Sequence, residues 1–566
     1  MARLAAIDIG SNAIRLRIVD VDAPELDAGA ESGADPAPLS APEGTIAAVA
    51  EALAQDGGAP ASLPGTPRFR PFREVCAERV PVRLGHDVFT RGRIEPSMIA
   101  QAADALRRFR TTMDAVKVDR YRAVATSACR EAKNSDVFVE RAAREAGVHV
   151  EVIEGVEEAR LVQVAVRQRL NLAGRTAVLI DIGGGSTELT LLRGDTALYS
   201  RSLPVGTVRM IEAFLEGGGR IDHVREQLLD EYVQRVAHEP LRELLEAAEG
   251  GVDLVVATGG NIETLADLCP MPLAFPESRA IELRGMNKLV DVLCALTNEE
   301  RSQRFGLRPD RADTIVPAAK ILSALSAALG RPDILAPGVG LKEGVLVDLA
   351  TEHFVPRDFS VEARSVTDAC IRLGRRYHFD EAHGRQVARF AGRLFDDLVR
   401  LHGLEPRDRI LLLASALLHD VGDFVRYEGH HKHSYYIIAN SDLMGLTPEE
   451  RELVANVARY HRKSPPSLDH ENFRALSREQ RAKVKMMASV LRLADALDRE
   501  HRSVVSSVGA RIDGSTLWLD VEGAEERALE EWTVRAKSGM LREALGLEVK
   551  FADPVVLRSA PPPSVR

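Results

Sequence analysis

Between Ala177 and Leu192 the chain reads AVLIDIGGGSTELTLL. An apolar run over 177–182, four small residues, and a second apolar-rich run over 187–192 predict a strand, a glycine turn and a returning strand. Glycine has no Cβ, so the turn at Gly183, Gly184, Gly185 and Ser186 lets backbone N–H groups converge on an anion. Asp181 closes the first strand and Glu188 follows the turn. Two carboxylates beside a phosphate cradle call for a hard divalent cation such as Mg²⁺ between them. A tight hairpin with an acidic rim is the plain alternative.

A second copy weakens that alternative. The chain opens with LAAIDIGSNAIRLRIV over Leu4–Val19, a strand ending at Asp8, a turn through Gly10, Ser11 and Asn12, and another strand. Two such units predict a duplicated fold, two similar lobes presenting phosphate-facing hairpins to a shared cleft. A chain of 566 residues has room for three or four domains at roughly 100–200 residues each. Five scattered cysteines with no C-x-x-C pair argue against a disulfide framework and for a reducing, cytoplasmic setting. The longest apolar run, Ile410–Leu418, is far short of a bilayer span, and neither a membrane nor a nucleic-acid partner is expected. The net charge of −10 is uneven: residues 22–67 carry eight acidic side chains and no Lys or Arg, whereas 68–130 carry fourteen Lys/Arg against seven Asp/Glu. An acidic protein with a locally basic segment can still handle a polyanion.

Residues 22–72 are rich in Ala, Pro and Gly and read as a flexible insertion, with at most a short helix at 45–55. Beyond it a helix over 96–113 and a strand over 121–125 lead into Thr126–Asn134, where hydroxyls, backbone donors and Arg130 converge at a helix start. A strand at 148–153 runs into Glu154-Gly155-Val156-Glu157-Glu158-Ala159-Arg160, which opens a helix; by themselves these acids are ordinary first-turn dipole partners. Further on, a strand at 254–257 meets Thr258, Gly259, Gly260 and Asn261 at another helix start. Arg311-Ala312-Asp313 precedes an apolar helix over 314–329, and Gly338–Gly340 turns into a helix reaching about 349.

DIGSN, TSxxREAxN, GxEEAR, DIGGGSTE, TGG and RAD in this order resemble the exopolyphosphatase/guanosine-pentaphosphate phosphatase (Ppx/GppA) family, from Ala5 to about Leu349. The resemblance implies an α/β fold of duplicated actin-like ATPase (ribonuclease-H-like) lobes. It also implies removal of a terminal phosphate from inorganic polyphosphate, or of the 5′ γ-phosphate from pppGpp, by Mg²⁺-assisted attack of water. On the matching positions Glu158 is the general base, Asp181 and Glu188 are the Mg²⁺ residues, and Arg130 clamps phosphoryl oxygens. Gly10, Ser11, Asn12, Gly183, Gly184, Gly185, Ser186, Thr258, Gly259 and Gly260 bind phosphate. A homodimer is expected on the same ground. Glu154, Asn261, Lys342 and His86 depart from the family pattern and leave substrate preference open.

Ten of the fifteen histidines fall between His378 and His501, in a region whose apolar positions recur at helical spacing. The series His383, His419-Asp420, His433, His461 and Asp495 places potential ligands on separate helices, as bundles do when they build metal sites. It resembles the HD-domain metal phosphohydrolases, with Fe or Mn suited to imidazole and carboxylate ligands. His433 is preferred over its rivals His430 and His431 as the residue opening the next helix. Asp423 stands where Lys or Arg often follows HD-x-G, and a structural or polyphosphate-gripping role is the alternative. The expected organisation is therefore lobe I at 1–160, lobe II at 161–355, an all-α HD-type domain at 356–507, and a small α/β segment at 508–566 with no evident chemistry. An actin-fold phosphotransferase and a non-catalytic polyphosphate or alarmone sensor are the rival functions.

Overall fold

The computed structural model describes residues 1–24, 69–86, 88–194, 196–215, 218–249, 251–270, 279–355, 359–523 and 528–552. Most of the 22–72 insertion, including its expected short helix, lies outside them, as do residues 524–527 and the proline-rich tail. The chain divides into two compact units, Met1–Arg357 and Asp358–Arg566.

The first unit holds two sheets. One is built from β1 (Ala2–Ile9), β2 (Ile14–Val21), β3 (Arg73–Val80), β4 (Arg120–Ala125) and β5 (Val150–Val152), in the order β3-β2-β1-β4-β5. The other uses β6 (Thr176–Ile182), β7 (Thr187–Arg193), β8 (Thr196–Leu203), β9 (Leu254–Thr258), β10 (Arg279–Glu282) and β11 (Asp333–Ala336). Its order, read from the other edge, is β8-β7-β6-β9-β11-β10. In both sheets the first strand pairs antiparallel with the second and parallel with the fourth. The second sheet is thus the first repeated, with β10 added antiparallel at its edge. These are the duplicated actin-like lobes. β1 and β6 are central and buried almost throughout, which is why they read as continuous apolar runs rather than alternating ones. Helices cover the sheets; on Pro96–Ala115 the buried positions Ile99, Ala102, Leu106, Phe109 and Met113 recur every three or four residues.

The second unit is helical, with helices Phe359–Arg376, Glu381–Asp397, Pro406–Leu418, His430–Ala439, Pro448–Arg459 and Arg478–Ala496. It also contains a three-stranded sheet of β12 (Val505–Asp513), β13 (Thr516–Gly523) and β14 (Glu548–Phe551). One core joins both parts: Phe390, Leu412, Val454 and Leu491 pack in the same cluster as Val505, Leu517, Val534 and Val549. β12 was invisible to periodicity because a bulge between Val505 and Ser507 breaks the alternation. Between β13 and β14 lie two short helices, Ala528–Lys537 and Gly539–Leu545. All five cysteines are free thiols. Among the described residues no helix is long and apolar enough to cross a membrane.

Candidate functional site

Strand register builds the cleft chemistry of the first unit. Both hairpins place an aspartate seven residues before the residue directly opposite it: Asp8 faces Arg15, and Asp181 faces Glu188. Directly opposed residues share one face of a sheet. Both turns are closed by the same backbone bond, Gly10 N–H to Ala13 O at 3.1 Å and Gly183 N–H to Ser186 O at 3.0 Å. The chemistry differs. Arg15 Nη1 donates to Asp8 Oδ2 at 2.6 Å, whereas Asp181 and Glu188 set two carboxylates side by side.

Glu158, in the first turn of the Gly155–Arg167 helix, joins them. Ligand oxygens of Glu158, Asp181 and Glu188 lie within 4.8 Å of one another, and all three side chains are buried. Burial raises each carboxyl above its ordinary range, and mutual repulsion adds to it. Asp181 is pushed up to about 6 by burial and by Asp8, against the Thr258 hydrogen bond. Glu188 is pushed up to about 7 by burial and then by Asp181, and Glu158 well above its usual value by burial and then by Glu188. Ser186 and Ser202 hydroxyls both donate to Glu188 Oε1 at 2.8 Å, leaving the buried Oε2 with no partner among the described residues. Three carboxylates with an unsatisfied oxygen are the donor set of a hard divalent cation.

Gly10, Ser11, Asn12, Gly183, Gly184, Gly259 and Gly260 line a cleft of about 510 Å³ together with Asp8, Glu158 and Asp181. The two turns touch, for a Cβ on Gly184 would sit 2.7 Å from Ser11 Cβ. Gly259, at φ +108°, occupies backbone space that L-residues avoid, and a Cβ there would strike Ile182 O. Three expected phosphate residues have other partners. Thr258 gives its hydroxyl to Asp181 Oδ1 at 2.5 Å, because register sets it beside Asp181. Ser186 serves Glu188, and Gly185 O accepts from Arg209 Nε at 2.8 Å. Arg130 Nη1 donates to Ile153 O at 2.7 Å and approaches Glu158 Oε2 at 3.5 Å. Arginines also crowd this cleft: Arg311 is held down to about 10 by burial and by the neighbouring Arg15, Arg308 and Arg79. Sequence reasoning noted Arg311 in the RAD motif without a role and missed Arg15, Arg79 and Arg308, which are scattered over β2, β3 and the start of helix Pro309–Ala312.

The second unit gathers the histidines. His383 and His419 Nε2 lie 3.2 Å apart, with Asp495 Oδ1 at 3.8 and 3.7 Å from them and Asp420 Oδ2 3.5 Å from His419. On the other side of the same carboxylate, Asp420 Oδ1 lies 3.0 Å from His430 Nε2 and 3.3 Å from His461 Nε2. Two ligand groups therefore share Asp420: His383, His419 and Asp420, then Asp420, His430 and His461. Each Nδ1 faces an acceptor: Asp498 Oδ2 at 2.9 Å for His383, Ala416 O at 2.7 Å for His419, Ala458 O at 2.6 Å for His461, and Asp423 Oδ1 at 2.5 Å for His430. With Nδ1 so placed, the Nε2 atoms of all four rings face the cluster, an arrangement that suits metal-bound imidazoles, and Arg462 Nη1 also approaches His430 Nε2 at 3.1 Å.

His433 is not in this cluster. The helix begins at His430, directly after Gly429, so its inward face carries buried His430 and Ser434 while His433 is half-buried. The helix starts three residues earlier than expected, so His433 falls off the inward face. Asp423, expected as a weakness, is the acceptor that orients His430. Asp498 was missed, although its place one turn after Asp495 could have marked it. The C-terminal segment, expected to carry no chemistry, supplies Lys537, whose ammonium bonds Asp495 Oδ2.

A duplicated α/β fold with touching phosphate turns and a buried carboxylate trio defines a phosphoryl-handling protein. The chain belongs to the Ppx/GppA phosphatase family, which it matches over residues 67–353, with domain III of that family matched over 364–544. It is a phosphoanhydride hydrolase. It is 28% identical over 447 residues to a guanosine-5'-triphosphate,3'-diphosphate pyrophosphatase of Vibrio parahaemolyticus, covering 78% of this chain and 85% of the relative. The corresponding protein of Photobacterium profundum is 26% identical over 413 residues, with 73% and 79% covered. A crystal structure of an Aquifex aeolicus Ppx/GppA family member shares 26% identity at a TM-score of 0.46, covering 62% of this chain and 98% of that one.

Proposed function

We propose that the cleft between the two lobes hydrolyses the terminal phosphoanhydride bond of inorganic polyphosphate, of pppGpp, or of both. The observation that carries this reading is that Glu158 and Asp181 line one cleft with Arg15, Arg79, Arg308 and Arg311, and Glu188 joins the two carboxylates from behind. Asp181 and Glu188 would hold Mg²⁺, which when bound neutralises phosphoryl oxygens and lets the carboxylates ionise together. Glu158 takes a proton from water. The water oxygen bonds to the terminal phosphorus while the bond from that phosphorus to the bridging oxygen breaks, leaving orthophosphate and a substrate one phosphate shorter. Burial and Glu188 raise the Glu158 carboxyl, which makes it the stronger base. Arg130, beside Glu158, orients the base and adds positive charge where equatorial oxygens become more negative. The crowded arginines repel one another until a polyanion separates them. The names of the Vibrio and Photobacterium relatives support a pentaphosphate substrate.

The test is phosphate release from long-chain polyphosphate and from pppGpp without added acceptor. Glu158→Ala is expected to lose about 10²–10⁴ in rate. Strict dependence on ATP plus an acceptor would replace hydrolysis with phosphotransfer. Normal ligand affinity without any turnover would make the protein a sensor.

A second reading concerns the helical cluster: an HD-type metal phosphohydrolase site holding two ions of Fe or Mn. Asp420, with one carboxylate oxygen facing each of two groups of imidazoles, is what favours it. Metal analysis of the purified full chain is expected to give two ions, both lost in Asp420→Asn because each group depends on that side chain. Phosphate release that survives Glu158→Ala and disappears with His419→Ala/Asp420→Ala would move the main chemistry here.

A further inference from the structure

A second cavity of about 550 Å³ opens beside the reaction cleft, with Asn12 on the wall of both. Its floor contains Arg301, 1% exposed. Two of its guanidinium nitrogens are taken: Nε donates to Leu293 O at 2.7 Å, and Nη1 to Asn298 Oδ1 at 2.7 Å and Ala312 O at 3.1 Å. Nη2 is buried with no partner, and Arg301 makes no ion pair among the described residues. A buried guanidinium with an unused donor is costly unless something anionic meets it. Asp313, the nearby carboxylate, ion-pairs with Arg83 through Oδ2 instead, and its Oδ1 is also buried without a partner. Arg225, at the start of helix His223–Ala247, adds another cation. The wall formed by Val208, Ile211 and Leu215, one side of helix Thr207–Phe214 and the residue after it, is apolar.

We propose that this cavity binds a phosphorylated nucleoside at a site separate from the reaction centre. Arg225 takes the phosphates, the uncompensated charge of Arg301 attracts them from beneath the lining, and the Val208–Ile211–Leu215 wall takes the base or sugar. An inorganic phosphate chain would use the arginines and leave the apolar wall idle; a neutral apolar ligand would leave Arg301 uncompensated. The volume falls within the roughly 300–1,000 Å³ of small-molecule sites. The assignment rests on groups that the proposed hydrolysis does not use, so either can fail alone.

The experiment is equilibrium dialysis of GDP against the full chain. Wild type is expected to bind two molecules per chain, one in each cavity. Arg225→Glu, a change at a half-exposed helix start, weakens one of them by at least about tenfold. Arg311→Met, in the reaction cleft, weakens only the other. The milder Arg225→Met is expected to follow Arg225→Glu with a smaller loss, which separates lost binding from lost folding. A single bound GDP that Arg225→Glu leaves untouched overturns the proposal. So does displacement of GDP from the Arg225-dependent site by tripolyphosphate at equal concentration, since the apolar wall would then contribute nothing.

Discussion

The two hairpins that line the cleft share one construction and differ most tellingly in the residue opposite the aspartate. Each runs strand, glycine turn, strand; each is closed by the same backbone bond; each pairs an aspartate with the residue seven positions later. In lobe I that residue is Arg15, and the pair is neutral within itself. In lobe II it is Glu188, and the pair repels, with Glu158 adding a third carboxylate. One copy of the duplicated unit has settled its charge internally, and the other keeps its carboxylates in mutual repulsion. The difference separates a turn that can be a passive wall from one that can take part in chemistry.

Removing the repulsion should have the largest effect. Glu188→Gln keeps the shape and deletes one charge; phosphate release is expected to fall about 10²–10³-fold, while the metal-free protein melts at a higher temperature because a buried like-charge contact is gone. Loss of activity together with loss of stability would break the comparison. Next, Arg15→Met makes lobe I resemble lobe II by leaving buried Asp8 alone, at an expected cost of about 1.5–3 kcal/mol in chemical denaturation.

The third test is pH. Asp181 and Glu188 sit at about 6 and about 7 in the fold, against roughly 4 in an unfolded chain. Between about pH 4 and pH 7 the folded chain therefore holds more protons, and metal-free stability falls as pH rises through that window before levelling off. Added Mg²⁺ should flatten the decline by binding the ionised trio; a thermal-melt series with and without the ion reads both. The smallest effect is expected from Thr258→Val, which removes the hydroxyl holding Asp181 Oδ1 and should weaken Mg²⁺ binding by no more than about tenfold.

Much of this contrast was legible in the chain itself. Strands β1, β2, β6 and β7 announce themselves as apolar runs broken by DIG turns, and a seven-residue offset can be counted. What could not be counted was partnership across distance. Arg130 meets Glu158 only because β4, β5 and two helix starts converge. Thr258 reads as a phosphate residue until register sets it beside Asp181. In the helical unit the ligand types and their order were readable, but a helix start displaced by three residues exchanged His433 for His430, since successive residues on a helix face different directions. Asp498 and Lys537 had no motif at all; their roles arise from packing.

Lys537 carries a consequence for how the protein comes into being. The four imidazoles, Asp420 and Asp495 are all synthesised by residue 495, but the ammonium that satisfies Asp495 arrives 42 residues later, on a segment that must first fold against the helices. While that segment is still being made, a growing chain has the imidazoles and both aspartates gathered around a buried acid that lacks its ammonium partner, so the cluster meets solvent with a different charge from the finished one.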